Sequence, residues 1–346
     1  MNSVRPGEIR TGEVMAIVEH DRGVADEVAY QVLGFARSLV AAGVGSSITA
    51  VLIGAEADGL AADFCVYGAT AIVQVHHAEL KDYAPEAWGE AISGLVASRR
   101  PVAVVAIGTD RGNEVLAYAS ARLDVAFAAN VIEITAVGEA SVSLTRLRWG
   151  GSLLEQSRLI GSTYILSGAA HAFDGEPSPD HVGATPTTEI VDATLSGNAA
   201  RTRIVDRVTL AAGITLTTAP VVVSGGRGVG SADGFSPLQE LAELLGGAVG
   251  CSRVVTNNGW RPHSDQVGQT GKRVAPDLYI ACGISGAIQH WVGMMASKHV
   301  LAINTDGDAN MVGKAEYAVI GDLHEILPAV IDEIRNRRGQ PASPSV

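Results

Sequence analysis

Cysteine is scarce in this chain. Cys65, Cys251 and Cys282 are odd in number and far apart. That argues against a disulfide framework, offers no metal-ligand spacing, and points to a reducing, cytoplasmic compartment. Basic residues are also short, with 25 Lys and Arg against 37 Asp and Glu, a net charge of -12. Such a balance carries no footprint for a phosphate backbone, so nucleic-acid binding is not expected. It suits soluble partners with basic docking patches and equally an ordinary solvated surface. The longest charge-free run, Leu278 to Ser297, has no Asp, Glu, Lys or Arg, but Gly283, Ser285, Gly286, Gln289 and His290 interrupt it. Strand, turn and helix explain it better than a membrane span. Met1 to Thr11 is polar and lacks the apolar core of a signal peptide.

What is present is a globular composition, 47% hydrophobic and 18% charged, with ample core material. At 346 residues two domains are expected. The first half alternates strands (13–18, 47–53, 71–75, 102–107) with helices (28–42, 61–67, 88–98, and one ending at Leu123 after the turn Gly-Thr-Asp-Arg-Gly-Asn-Glu at 108–114). Short strands follow at 131–137, 141–147, 152–158 and 162–167, then an exposed loop over 173–186. The second half reads strand 221–223, helix 237–245, strand 249–251, strand 278–282, helix 287–294, strand 300–303, strand 317–320 and helix 323–335, with a disordered tail at 340–346. Near-continuous apolar strands between helices predict parallel sheets covered on both faces. The expected fold class is therefore α/β, with two domains, each a mostly parallel sheet with flanking helices. The C-terminal one is doubly wound, its ligand site at the C-terminal strand ends. The expected boundaries are 1–200, a linker over 201–219, and 220–346.

The chain's most informative stretch runs from Gln266 to Asn304. It holds Gln-Val-Gly-Gln-Thr-Gly-Lys (266–272), the apolar strand Leu278–Cys282, the turn Gly283-Ile284-Ser285-Gly286, and Leu-Ala-Ile-Asn (301–304). A strand, a glycine turn and a helix start form a ready anion site, because the first helical N–H groups lack partners and glycines allow close approach. Upstream, Ser-Gly-Gly-Arg-Gly (224–228) and Cys-Ser-Arg (251–253) also end strands. Each has a plain structural reading beside the functional one. Arg227 and Arg253 can be solvated surface arginines, Gln269 and Thr270 turn residues, His290 a satisfied core residue. Asn304 can serve a turn, and Asp322 a helix N-cap.

Together these motifs, in this order and spacing, closely resemble the α-subunit of electron-transfer flavoproteins over about Val221 to Pro328. The resemblance implies FAD. Arg227 would meet its diphosphate region. Arg253, with Ser252 beside it, would sit against the flavin ring and stabilise negative charge there. The loop Val267, Gly268, Gln269, Thr270 would line the ring, with the Thr270 hydroxyl near its N5. His290 would face the N1–C2 edge and exchange a proton near neutral pH. Ser285, Gly286, Ala287, Ile288 and Gln289 would take the ribityl and phosphate run, and Asn304, Asp322 and Leu323 the adenosine. Asn310-Met311-Val312 replaces the family's usual Pro-Ile-Phe, and Gly150-Gly151-Ser152 stands where Ala-Gly-Asn is common.

The resemblance further implies a heterodimer. The N-terminal domain would contact a smaller β-subunit carrying AMP or a second FAD. Electrons would come from soluble flavoprotein dehydrogenases, such as the acyl-CoA dehydrogenases of fatty acid β-oxidation, and leave to a membrane quinone oxidoreductase or similar acceptor. The chain would be an electron carrier with no substrate turnover of its own. An autonomous flavin oxidoreductase, a bifurcating subunit using NADH, and a nucleotide-binding regulatory module are the competing readings.

Overall fold

The computed structural model describes residues 11–25, 27–138, 140–179, 186–204 and 214–339. By internal contacts the chain divides into two compact units, Met1–Arg148 with Leu153–Thr209, and Trp149–Ser152 with Leu210–Val346. The expected linker spans that division, and 205–213, like the tail 340–346, lie outside the described residues.

In the first unit the apolar runs become buried strands. They are β1 (Glu13–Ile17), β2 (Ser47–Ile53), β3 (Ala71–His76) and β4 (Ala103–Ile107), linked by α1 (Glu27–Ala41), α2 (Ala61–Val66) and α3 (Pro85–Arg99). α4 (Asp110–Leu123) follows, then β5 (Phe127–Gly138), β6 (Ser141–Arg148), β7 (Leu153–Ile160), β8 (Tyr164–Gly168) and β9 (Thr187–Asp192). They make one sheet in the order β7-β6-β5-β8-β4-β1-β2-β3-β9. All neighbours are parallel except the β5–β6 and β6–β7 pairs. Alternation along β1 sends Val14 and Ala16 into the core against α1, and Met15 and Ile17 into the core against α3 and α4. Both faces are thus dry, as the unbroken apolar strands require. β5 is longer than expected because its first residues pair with β8 and the rest with β6, across three register irregularities. β9 was not anticipated. As an exposed edge strand it reads Thr-Thr-Glu-Ile-Val-Asp, with too little apolar character to stand out from a loop.

The second unit has five parallel strands, β10 (Val221–Gly225), β11 (Ala248–Cys251), β12 (Leu278–Cys282), β13 (His299–Asn304) and β14 (Tyr317–Ile320). Their order is β11-β10-β12-β13-β14, a doubly wound sheet. On one face α5 (Ser236–Leu244) and α9 (Leu323–Arg337) cover Val223, Ile280, Cys282 and Ile303. The other face buries Val222, Tyr279, Ala281 and Ala302 under Val267, Ile284, Met294 and Met311. That second cover is built from turns and short helices, while α6 (Arg253–Asn257) packs its Val255 into the first face; the short helices of the second cover are α7 (Ile288–Trp291) and α8 (Asn310–Lys314).

The helix expected over 287–294 is a correction. Only Ile288–Trp291 is α-helical, and the chain then tightens, Gly293 N–H donating to His290 and Met294 N–H to Trp291. The cause is a close crossing. A Cβ on Gly293 would lie 2.3 Å from the Gly268 nitrogen, and the Val274 N–H donates to the Gly293 carbonyl at 2.8 Å. Regular helix cannot continue with another backbone pressed on it.

Cys251 and Cys282 pair with Gly225 from opposite sides. Two strand spacings, roughly 9–10 Å, separate them, beyond disulfide reach. Burial pushes both thiols up to about 12.

Candidate functional site

In the second unit β10 and β12 are neighbours, yet the chain leaves β10 toward β11 and leaves β12 toward β13. The turns after the two strands therefore part, and a crevice opens beyond their C-terminal ends. Here it is a cleft of about 570 Å³, within the roughly 300–1,000 Å³ of small-molecule and cofactor sites. Arg227 and Gly228 line it after β10, and Ser252, Arg253 and Val254 after β11. The Gln266–Thr270 loop forms one side. Gly283, Ile284, Ser285 and Ala287 line it after β12, with Gln289 and His290 of α7, and Asn304, Asp306 and Ala309 after β13.

The floor is backbone packed on backbone. Gly226 N–H donates to the Cys282 carbonyl at 2.8 Å and Gly228 N–H to Gly283 at 3.1 Å. A Cβ on Gly226 would stand 2.3 Å from the Gly283 oxygen. The side-chain amide of Asn304 braces the wall, donating to the Ile284 carbonyl at 3.0 Å and accepting from Asp306 N–H at 3.1 Å.

Two features give the cleft an affinity for anions. Among the described residues, the backbone N–H groups of Ser285, Gly286 and Ala287 donate to no acceptor. Successive free amides in a turn make an anion-binding concavity without a long helix behind it, which matters because α7 is a single turn. Arg227 and Arg253 are both exposed at the wall, and among the described residues neither guanidinium has an ion pair. Two uncommitted forks beside free amides suit a phosphate or diphosphate.

The polar side chains opposite are held from behind. Gln266 is 1% exposed. Its carbonyl accepts from the Thr256 hydroxyl at 2.9 Å, and its amide donates to Thr270 Oγ1 at 3.0 Å. The Thr270 proton stays available to a ligand. The Gln269 N–H donates to the Gln289 carbonyl at 2.7 Å, tying the loop to α7.

His290 is buried, its Nε2 2.9 Å from the Tyr279 hydroxyl. Burial pushes its pKa down to about 4, against a smaller upward pull from the Val267 backbone. In the ligand-free chain the ring is therefore neutral at neutral pH, since a dry site penalises the imidazolium; the proton exchange expected beside an anionic flavin belongs to the loaded, reduced state. The unfolded residue titrates near 6.5. Below that value the unfolded state binds a proton that the folded state does not. This part of the stability is complete above about pH 6.5 and is lost as pH falls toward 4, by up to about 3 kcal/mol. We expect the urea midpoint to fall more steeply between pH 6.5 and 4 in the wild type than in His290→Gln. Parallel curves for the two proteins would contradict this.

The first unit has a switch point of its own, between β1 and β4, and it is closed. The Thr109 hydroxyl donates to the Glu19 carboxylate there and also caps α4 through Gly112 N–H at 2.9 Å. Arg111 lies over the Tyr83 ring at 4.8 Å, and Tyr83 donates to Glu114 at 2.9 Å. The space left is about 20 Å³, room for roughly one water.

Of the residues singled out from sequence, four stand off the cleft wall. Gly286 is buried under Met311. Ile288 is 49% exposed on the outer side of α7. Asp322 caps α9, accepting from His324 N–H at 2.9 Å, the structural alternative its sequence allowed. Leu323 packs in the core below Gly283. The others, Arg227, Ser252, Arg253, Val267, Gly268, Gln269, Thr270, Ser285, Ala287, Gln289, His290 and Asn304, all meet in the cleft. Sequence reading missed Gln266 and Asp306. Gln266 opens the very loop that was noticed, but nothing local tells that its amide turns inward. Asp306 follows Asn304 in a polar turn that gives no signal.

Comparison with known proteins agrees with this division of labour. A family model described as "Electron transfer flavoprotein FAD-binding domain" matches residues 215–295, and one described as "Electron transfer flavoprotein domain" matches 14–196. The chain is 34% identical over 330 residues to the electron transfer flavoprotein subunit alpha of Bacillus subtilis (strain 168), covering 95% of this chain and 96% of that one. It is also 34% identical over 333 residues to the protein of the same name from Mycobacterium tuberculosis (strain CDC 1551 / Oshkosh), covering 94% and 99%. Protein FixB of Clostridium saccharobutylicum is 34% identical over 328 residues, covering 93% and 96%.

Proposed function

This chain belongs to the electron transfer flavoprotein family, as an α-subunit, and from that premise we propose that it holds FAD in the cleft of its second unit and serves as an electron carrier. The observation that carries the reading is the pair of uncommitted guanidiniums, Arg227 and Arg253, beside the free amides of Ser285–Ala287. That donor set fits a dinucleotide cofactor. The amides and Arg227 match a diphosphate. Thr270, Gln289 and Arg253 offer donors to the carbonyls and nitrogens of a flavin, and Val254, Val267 and Ile284 offer apolar surface. Bound FAD supplies the one- and two-electron chemistry.

The chain's own part is to bind, orient and tune. Arg253 places a fixed positive charge where electron density arrives, which favours reduction. Gln266 holds the Thr270 hydroxyl in place, and the glycine floor lets backbone amides reach the ligand. The partners follow from the family. We assign a smaller β-subunit with AMP or a second FAD, soluble flavoprotein dehydrogenases as donors, and a quinone oxidoreductase or similar acceptor, in the cytoplasm. A link to fatty acid β-oxidation follows from acyl-CoA dehydrogenases as donors.

The test is to purify the full chain alone and with its β-subunit, then record flavin absorbance and reduction by an acyl-CoA dehydrogenase with its substrate. We expect flavin in the complex, reduced by the dehydrogenase. A lone chain that keeps flavin and turns over NADH would make it an autonomous oxidoreductase. No flavin in either preparation would leave only a nucleotide-binding role.

A further inference from the structure

Tyr279 lies mid-strand in β12 and is fully buried. Its hydroxyl is 2.9 Å from Nε2 of His290, which is itself 7% exposed, and the two rings meet edge-on at 6.1 Å. A phenol and an imidazole nitrogen can share one hydrogen bond in two ways. Either the phenol donates to a bare Nε2, or Nε2–H donates to the phenol oxygen. The surroundings separate the two. Among the described residues Nε2 of His290 is the partner the Tyr279 hydroxyl has within hydrogen-bond geometry; the Ser224 hydroxyl is close enough to act on the phenol but lies outside that geometry. If Nε2–H were the donor, the phenol proton would be left with only the poorly aligned Ser224 oxygen, at the cost of a weak or unmade bond. Burial also holds the phenol far above its ordinary range, so the proton is present to give.

We propose that Tyr279 is the positioning residue for His290, donating to Nε2 and thereby fixing the ring as the neutral tautomer that carries its proton on Nδ1. This rests on the reading of the cleft as a flavin site only for its consequence. Among the described residues Nδ1 is buried without a partner in hydrogen-bond geometry, in a residue that lines the cleft and feels the Val267 backbone. As Nδ1–H it can donate to the Val267 carbonyl or to a ligand acceptor, and as a bare nitrogen it would suit only a ligand donor. The assignment also leaves the positive charge of the cleft to Arg227 and Arg253. His290 contributes a hydrogen bond and no charge.

The experiment is long-range 1H–15N correlation on the full chain labelled with 15N-histidine, at neutral pH, with the His290 signals identified by their loss in His290→Gln. The wild type should show a protonated-type nitrogen at Nδ1 and a bare-type nitrogen at Nε2, as one tautomer. Tyr279→Phe keeps the ring volume and removes the donor, and its His290 should lose that single tautomer for a mixture. A wild-type ring protonated on Nε2, or an unchanged tautomer in Tyr279→Phe, overturns the proposal. Should the Phe variant not fold, the wild-type tautomer decides alone. Flavin absorbance of the same chain in complex with its β-subunit separates the two claims. Absent flavin with the Nδ1–H tautomer sinks the cofactor reading and leaves the tautomer standing, whereas bound flavin with Nε2–H does the reverse.

Discussion

Gly286→Ala will destabilise the second unit by about 2–5 kcal/mol and abolish ligand binding in the cleft. Gly286 has φ +79°, the left-handed region that costs a side chain about 1–2 kcal/mol. Space is the larger obstacle. Its Cβ would lie 2.3 Å from the Met311 nitrogen and 2.6 Å from the Met311 Cα. Both are backbone atoms, in a residue that is fully buried and whose N–H donates to Ser285 at 3.2 Å. No flexible side chain can yield. Either the Ser285–Ala287 turn moves, taking the free amides with it, or α8 does. Gly313 is the control, since a Cβ there meets nothing within 4 Å and the residue sits inside α8. Gly313→Ala should be neutral or slightly stabilising. Urea unfolding of both variants checks the pair. A Gly286→Ala protein with the wild-type midpoint would show that the turn is softer than its packing implies.

Arg253→Ala should leave the fold intact and change the electrochemistry. The guanidinium is exposed at the start of α6 and has no ion pair among the described residues, so its loss strands no buried partner. With a flavin in the cleft, the variant removes a cation beside the ring. About 1–2 kcal/mol of charge stabilisation is expected, since solvent still reaches an exposed arginine. For a one-electron step that is a fall of roughly 40–90 mV in potential. Arg253→Lys should recover part of the charge but not the planar fork. Redox titration of the flavin-loaded complex reads both variants. An unchanged potential in Arg253→Ala would remove this residue from the tuning of the cofactor and leave Arg227 as the remaining cation of the wall.

The strands of both units were legible because of burial. A strand dry on both faces needs apolar side chains at nearly every position, and Val-Val-Ala-Ile or Leu-Tyr-Ile-Ala-Cys announces itself. Ser47–Ile53 and Leu278–Cys282 emerge with the expected bounds; so does Tyr317–Ile320, an exposed edge strand that was legible from its apolar residues alone. β9 did not announce itself, because one exposed edge strand makes no such demand. The helix over 287–294 was over-read for the opposite reason. Its local pattern permits helix, and a backbone from another part of the chain forbids it.

By itself the sequence determined the α/β class, the order of the elements and the family, and it named most of the residues that meet in the cleft. It could do so because strand-end turns need glycines and small polar residues at set positions, and these survive as a readable order along the chain. Tertiary structure alone decided the rest. It chose which of two switch points stays open, since Thr109, Glu19, Tyr83 and Arg111 fill one only once β1 and β4 are neighbours. It turned Gln266 inward behind Thr270 and set Tyr279 against His290. It assigned Asp322 to a helix cap while leaving Arg227 and Arg253 without an ion pair among the described residues. The physical reason is common to all of these. Propensity and periodicity are properties of neighbours in sequence, whereas a hydrogen-bond partner, a pKa or an open cavity is a property of neighbours in space.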